Sequence, residues 1–283
     1  MMNTIQMIDV TAIDPDSTIN VRRQGVEENV KKVKASIKQH GYWPDQPIVI
    51  RPHPDTHSTY DYQNVTGQCR LKACLALGLK EIPAFIEKLN DDEAIQRSWG
   101  ENEARESLSA SDKAYWTEKI YKQYEGNGHT ANEAMKLAAE FLGVEVITIQ
   151  KYYRLVYLPK TVMEMVNSKV LTETAADAIA TNTIDSYNIE RSKQAMEDRA
   201  SWYLGLGRDD RKHAIETIKQ LGNKASITDL NANLKKRREE SRLVVEYAIP
   251  TELYDDLLQW GIERGLDNER VIIGHMIAET LKR

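Results

Sequence analysis

Apolar positions change their spacing near residue 90, dividing the chain into a mixed first part and a helical remainder. Ile5 to Ile13 alternates like a strand and is broken by Asp14-Pro15-Asp16-Ser17. Val26, Val30, Val33 and Ile37 share one helical face, and Gly41 is placed for a left-handed cap. Two further strands, Gln46 to Arg51 and Tyr60 to Val65, bracket a polar loop over Pro52 to Thr59. The second strand leads through Gly67 into a helix from Gln68 to Leu77 that ends at Gly78. Ile82 to Ile86 returns as a short strand, which Pro83 assigns to a sheet edge.

Beyond Asp91 the pattern predicts helices over Asp91 to Arg105 and Ser111 to Tyr124, with a break at Glu125-Gly126-Asn127-Gly128. A helix-turn-helix pattern follows. Its first helix runs over Ala131 to Leu142, Gly143 makes the turn, and a recognition helix spans Glu145 to Leu155; Ala139, Leu142, Val144, Ile149 and Tyr152 lock the pair. Leu158-Pro159 stops it. Residues 160 to 240 read as further helices, closing on Lys235-Lys236-Arg237-Arg238-Glu239-Glu240, a solvated helix end whose cations the two glutamates dilute. The last segment alternates at Leu243, Val245, Tyr247 and Ile249, then opens one helix at Thr251 reaching Gly265 and another from Asn268 to Leu281.

Composition narrows what these elements can do. The 283 residues suffice for two or three modest domains, 41% of them are hydrophobic and 29% charged, and no apolar run approaches a membrane span. Met1 to Gln6 lacks the basic and apolar segments of a secretion signal, so a cytoplasmic protein without a membrane partner is expected. A net charge of −5 excludes a broadly cationic nucleic-acid coat, so any contact with DNA phosphates must be local. Cys69 and Cys74 are too few for a structural zinc site or disulfide framework, and the six histidines show no metalloprotease spacing.

The richest chemistry lies in Val65-Thr66-Gly67-Gln68-Cys69-Arg70-Leu71-Lys72. A strand-to-helix glycine turn exposes unpaired N–H groups at the positive end of a helix, and Arg70 and Lys72 add charge suited to phosphate. Downstream come Glu101-Asn102-Glu103-Ala104-Arg105 and then the helix-turn-helix. Taken in this order, the three signals resemble the ParB/Spo0J family of DNA-segregation proteins over roughly residues 5 to 170.

That resemblance implies an α+β fold: a small ParB/sulfiredoxin-like N-terminal domain over 1–106 and an all-α helix-turn-helix region over 107–240. The remaining 241–283 resembles ribbon-helix-helix proteins. Such a ribbon must pair with a second copy, so a homodimer is implied, and outward Val244, Glu246 and Ala248 suit dimerisation over DNA reading. By resemblance Arg51, Thr66, Gly67, Gln68, Arg70, Glu101, Asn102 and Arg105 bind CTP, with Mg²⁺ reaching Glu101 and Asn102 through the nucleotide. Thr148, Gln150, Lys151 and Arg154 are the candidate contacts to double-stranded DNA.

The chain departs from the family's usual Gly-Glu-Arg-Arg turn. Gln68 replaces the carboxylate and Cys69 an arginine, so nucleotide binding is expected to survive better than hydrolysis, leaving at most a weak CTPase. The basic peptide by which the family engages a ParA-type ATPase has no counterpart before Ile5. A clamp in plasmid, phage or chromosome partition therefore stands beside a ParB-like transcriptional regulator without hydrolysis. A third class is enzymatic: sulfiredoxins share the N-terminal fold and place a cysteine in a comparable turn, so Cys69 beside Arg70 invites redox chemistry, and ParB-like nucleases form a further branch.

Overall fold

The computed structural model describes residues 4–105, 108–183, 189–240, 251–266 and 274. They fall in two compact units, Met1–Leu234 and Lys235–Arg283. The first opens with a five-stranded mixed sheet, β1 (Gln6–Asp9), β2 (Ile13–Asp14), β3 (Ile48–Pro52), β4 (Tyr62–Thr66) and β5 (Glu81–Ile86), in the order β1-β5-β3-β4-β2. Helix α1 (Val26–His40) precedes β3, and α2 (Gln68–Leu77) joins β4 to β5.

Two expectations about this sheet are corrected. The single strand over Ile5 to Ile13 is two, β1 and β2, and they occupy opposite edges of the sheet. Asp9 divides them: its carboxylate accepts from the Thr11 amide at 2.8 Å and caps a short 3₁₀ turn over Val10–Ala12. β5, expected at an edge because of Pro83, lies inside the sheet. The proline is accommodated because β3 pairs with β5 only from Ala84 onward, so Pro83 faces Met7 of β1 alone.

β3 shows why both sheet faces are covered. Ile48 and Ile50 join Leu71 and Cys74 of α2 on one face, while Val49 joins Val65 on the other. That second face is closed by α3 (Asp91–Ala104), α4 (Ala110–Gly126), α5 (Ala131–Leu142) and α6 (Val146–Arg154), through Trp99, Trp116, Ile120, Phe141, Leu142 and Ile149. The N-terminal sheet and the helix-turn-helix thus share one core. α1 has no buried residue; its apolar stripe is half-buried, and it packs on α2.

A separate core gathers α4 with α7 (Lys160–Asn167), α8 (Glu173–Thr181), α9 (Ile189–Gly205), α10 (Arg208–Leu221) and α11 (Ile227–Glu240). At its centre Arg199 is 2% exposed, and its guanidinium donates to the carbonyls of Asn182, Gly222 and Ala225 and to the Thr183 hydroxyl at 2.7–3.1 Å. Four neutral acceptors replace the water a buried cation loses. In the second unit α12 spans Thr251–Ile262, ending three residues short of the expected Gly265. The expected ribbon strand and, apart from Gly274, the second ribbon-helix-helix helix lie outside the described residues.

Candidate functional site

The turn from β4 to α2 requires its glycine twice over. Gly67 has φ +85°, and a Cβ there would lie 2.5 Å from Ile48 Cγ2 in the core. The amides of Arg70 and Leu71 donate to Gly67 O at 2.9 and 3.1 Å, so those of Gln68 and Cys69 precede the helical ladder. Arg70 is anchored: Nη1 donates to the carbonyls of Gln46 and Pro47 at 2.6 and 3.0 Å, and Nη2 is 3.8 Å from Glu101.

Glu101 arrives on the last turn of α3, a helix started by a capping box between Asn90 and Glu93. Its carboxylate lies 3.1 Å from Arg105, and Asn102 Nδ2 donates to Ser98 O at 2.8 Å. Gly67, Gln68, Arg70, Glu101, Asn102 and Arg105 therefore line one cavity of about 300 Å³, although more than thirty positions separate the turn from α3's end. Arg22 joins them, so three arginines surround a lone carboxylate, a balance that favours a polyanion. Gln68 Nε2 donates to Pro15 O at 3.3 Å, while its Oε1 is buried without a hydrogen bond.

Two residues expected here are elsewhere. Arg51 is 2% exposed and donates to Gln63 Oε1, Leu89 O and Asp91, on a separate depression. A strand arginine points to one face or the other, and this one serves the start of α3. Thr66 is buried and does not line the cavity.

Other contributors were missed in the sequence. Asn20 and Arg22 come from the loop before α1, Asn29 and Ser36 from α1, and Tyr42 and Trp43 from the loop after it. The visible trace was Asn20-Val21-Arg22-Arg23, a polar step with paired cations ahead of a helix. Its conformation is set from both sides: Val21 N donates to Ser98 Oγ at 3.3 Å, and Val21 O accepts from Trp116 Nε1 at 3.0 Å. Arg23 N donates to the buried Asp112 carboxylate at 3.0 Å, and its guanidinium stacks 3.8 Å from the Tyr115 ring.

Redox chemistry gains little here. Cys69 lines the cavity, but no histidine does, and its Sγ donates to Val26 O at 3.9 Å. Cys74 is fully buried, which pushes its thiol up to about 11. Among the described residues no group of three or more His, Cys, Asp or Glu side chains is placed to hold a metal ion.

The helix-turn-helix forms as α5, a left-handed Gly143 (φ +66°) and α6. Thr130 and Glu133 make a capping box that fixes the start of α5, and Ile149 and Tyr152 bury the inner side of α6. Gln150 and Lys151 are exposed and Thr148 is partly so. Arg154 is diverted from the expected DNA face: its Nε donates to Asp177 of α8 at 2.6 Å. Val146 and Ile147, in the first turn, are exposed in its place.

The ParB N-terminal domain family matches residues 1–103. The nucleoid occlusion protein of Bacillus thuringiensis (strain Al Hakam) is 29% identical over 175 residues, 62% of this chain and 56% of the relative; that of Bacillus anthracis matches to the same extent. The chain spans about half the length of these curated relatives. Among solved structures, C-terminally truncated ParB from Caulobacter crescentus complexed to the centromeric parS site is 24% identical, with a TM-score of 0.48 over 78% of this chain and 100% of that one. The same truncated protein complexed with CTP-gamma-S is 26% identical, with a TM-score of 0.32 over 68% and 99%. Residues 1–103 of this chain, which match the ParB N-terminal domain family, hold the sheet and most of the cavity's residues.

Proposed function

We propose that this is a ParB-like DNA-binding protein whose N-terminal cavity takes CTP and whose α5–α6 unit takes double-stranded DNA. It acts as a nucleotide-responsive dimeric clamp in plasmid, phage or chromosome partition. One observation carries the reading: the Gly67 turn and the Glu101-Asn102-Arg105 end of α3 line the same cavity. Arg22, Arg70 and Arg105 neutralise the triphosphate, and the Gln68 and Cys69 amides extend that cradle. CTP as the nucleotide, rather than another triphosphate, rests on the family resemblance.

Mg²⁺ enters with the nucleotide. Glu101 and Asn102 would be the residues to hold it, through hard oxygen atoms of the kind this cation prefers. Bound there, the cation screens phosphate charge. Gln68 is neutral and takes no proton from an attacking water, so the ligand serves mainly as a switch and turnover is slow or absent. Gln68 and Cys69 equally support the second reading, a ParB-like transcriptional regulator without hydrolysis.

The relatives' name, nucleoid occlusion protein, accords with a DNA partner. The proposed site of action is the cytoplasm, at a nucleoid or plasmid; no described helix is long and apolar enough to cross a membrane. Homodimerisation through the C-terminal segment and a ParA-type ATPase belong to the same proposal. Calorimetric titration of CTP, ATP and GTP with Mg²⁺ tests it. Selective CTP binding, weakened by about tenfold or more in Arg105→Ala, supports the reading. Absence of binding by any of the three nucleotides sinks it.

A further inference from the structure

We infer that the first turn of α6 selects thymine-bearing DNA sites by burying Ile147, with Val146 beside it, against thymine 5-methyl groups. This rests on the DNA-binding reading above and names what that surface recognises. Ile147 is 59% exposed and Val146 37%, directly after the Glu145 cap. Folding does not account for them: β-branched residues are mediocre helix formers, and the apolar side of α6 is already supplied by Ile149 and Tyr152.

Positions 147, 150, 151 and 154 fall at helical spacing on one side of α6. With Arg154 held by Asp177, the outward set is Ile147, Gln150 and Lys151. A recognition helix reads base edges with its N-terminal residues, and thymine alone offers a methyl group in the major groove. Gln150 matches the N6 and N7 of adenine, so both point toward A·T pairs, while Lys151 supplies charge for phosphate or guanine. An apolar pair beside an exposed lysine and glutamine is complementary to a DNA groove more than to an apolar protein face.

The test starts with selection of random duplexes by the full-length protein. The enriched duplex is then remade with deoxyuridine at single thymines, which removes only the methyl group, and binding is followed by fluorescence anisotropy at fixed salt. Substitution at one or two thymines is expected to weaken wild-type binding by about fourfold per methyl. Ile147→Ala should bind thymine and uracil duplexes alike while keeping its helical circular dichroism and its affinity for random DNA. Indifference of the wild type to uracil, or retained discrimination in Ile147→Ala, overturns the inference with DNA binding intact. Binding without enrichment of any sequence also overturns the inference, whereas failure to bind any duplex, random DNA included, overturns the DNA-binding reading itself.

Discussion

Tyr152 Oη donates to Glu103 Oε1 at 3.2 Å, tying the recognition helix to the turn of α3 that carries Glu101 and Asn102. The same tyrosine ring lies 6.4 Å from Trp99, and α3 is held again where Gln96 Nε2 donates to Phe141 O at 2.9 Å. α3 therefore touches the cavity at one end and both helices of the DNA-binding unit along its length. Tyr152→Phe keeps the ring and removes the hydrogen bond, leaving a half-buried carboxylate without that donor. A loss of about 1 kcal/mol in urea unfolding is expected. Unchanged stability would show that solvent already satisfies Glu103.

Gly67→Ser should be a folding variant before it is a binding variant. Its Cβ meets Ile48 and its φ is left-handed, which together cost about 2–4 kcal/mol. A clear fall in Tm without ligand is the expected result. Arg105, 64% exposed and bonded to Glu101, is the cleaner probe of the cavity, and Arg105→Ala should leave Tm within about 2 °C.

The two thiols should behave differently. Cys69 lines the cavity, so iodoacetamide at neutral pH should label it first, and CTP with Mg²⁺ should slow that labelling. Cys74 is fully buried, with its thiol pushed up from 9.0 to about 11, and should resist until the chain unfolds. Between those values the unfolded chain has released this proton and the folded chain retains it. Cys74 therefore contributes stability that is complete below about pH 9 and is lost as pH rises toward 11. Mass spectrometry of labelled peptides and urea titrations across that window check both statements.

Asp177 restrains a cation that the DNA face would otherwise present. Asp177→Ala frees Arg154, and the plot of log affinity against log salt should steepen by about one unit as one more phosphate is neutralised. An unchanged slope would mean that Arg154 cannot reach the backbone from its place on α6.

Arg199→Met should cost about 3 kcal/mol or more, because three carbonyls and a hydroxyl lose a charged donor inside the second core. Lysine should not rescue it, since one ammonium cannot reach partners on both sides of a guanidinium. Thermal unfolding of the two variants makes the comparison.

Much of the first unit could be read from punctuation along the chain. Gly67 and Gly78 bracket α2 at the bounds observed, and Thr130 and Gly143 do the same for α5, because caps act through local backbone geometry. The turn and α3's end were likewise legible as chemistry. What escaped depends on distant packing. Asn20 and Arg22 carry no periodicity, and their loop is held by distant partners: Val21 by Ser98 and Trp116, Arg23 by Asp112, and Asn20 by Asn64. Arg51 and Arg154 looked like ligand-facing cations because nothing in their neighbourhood reveals Asp91 or Asp177, which arrive from 40 and 23 positions away.

One wall of the cavity is α1, a helix without a fully buried side chain. Its half-buried stripe lies on α2, with Ile37 against the core beneath, so a tilt would disturb only partly buried contacts. A guest favouring one tilt by only about 1–3 kcal/mol suffices to redistribute the population between tilts. α1 is thus a cavity wall whose adjustment would strain the sheet least.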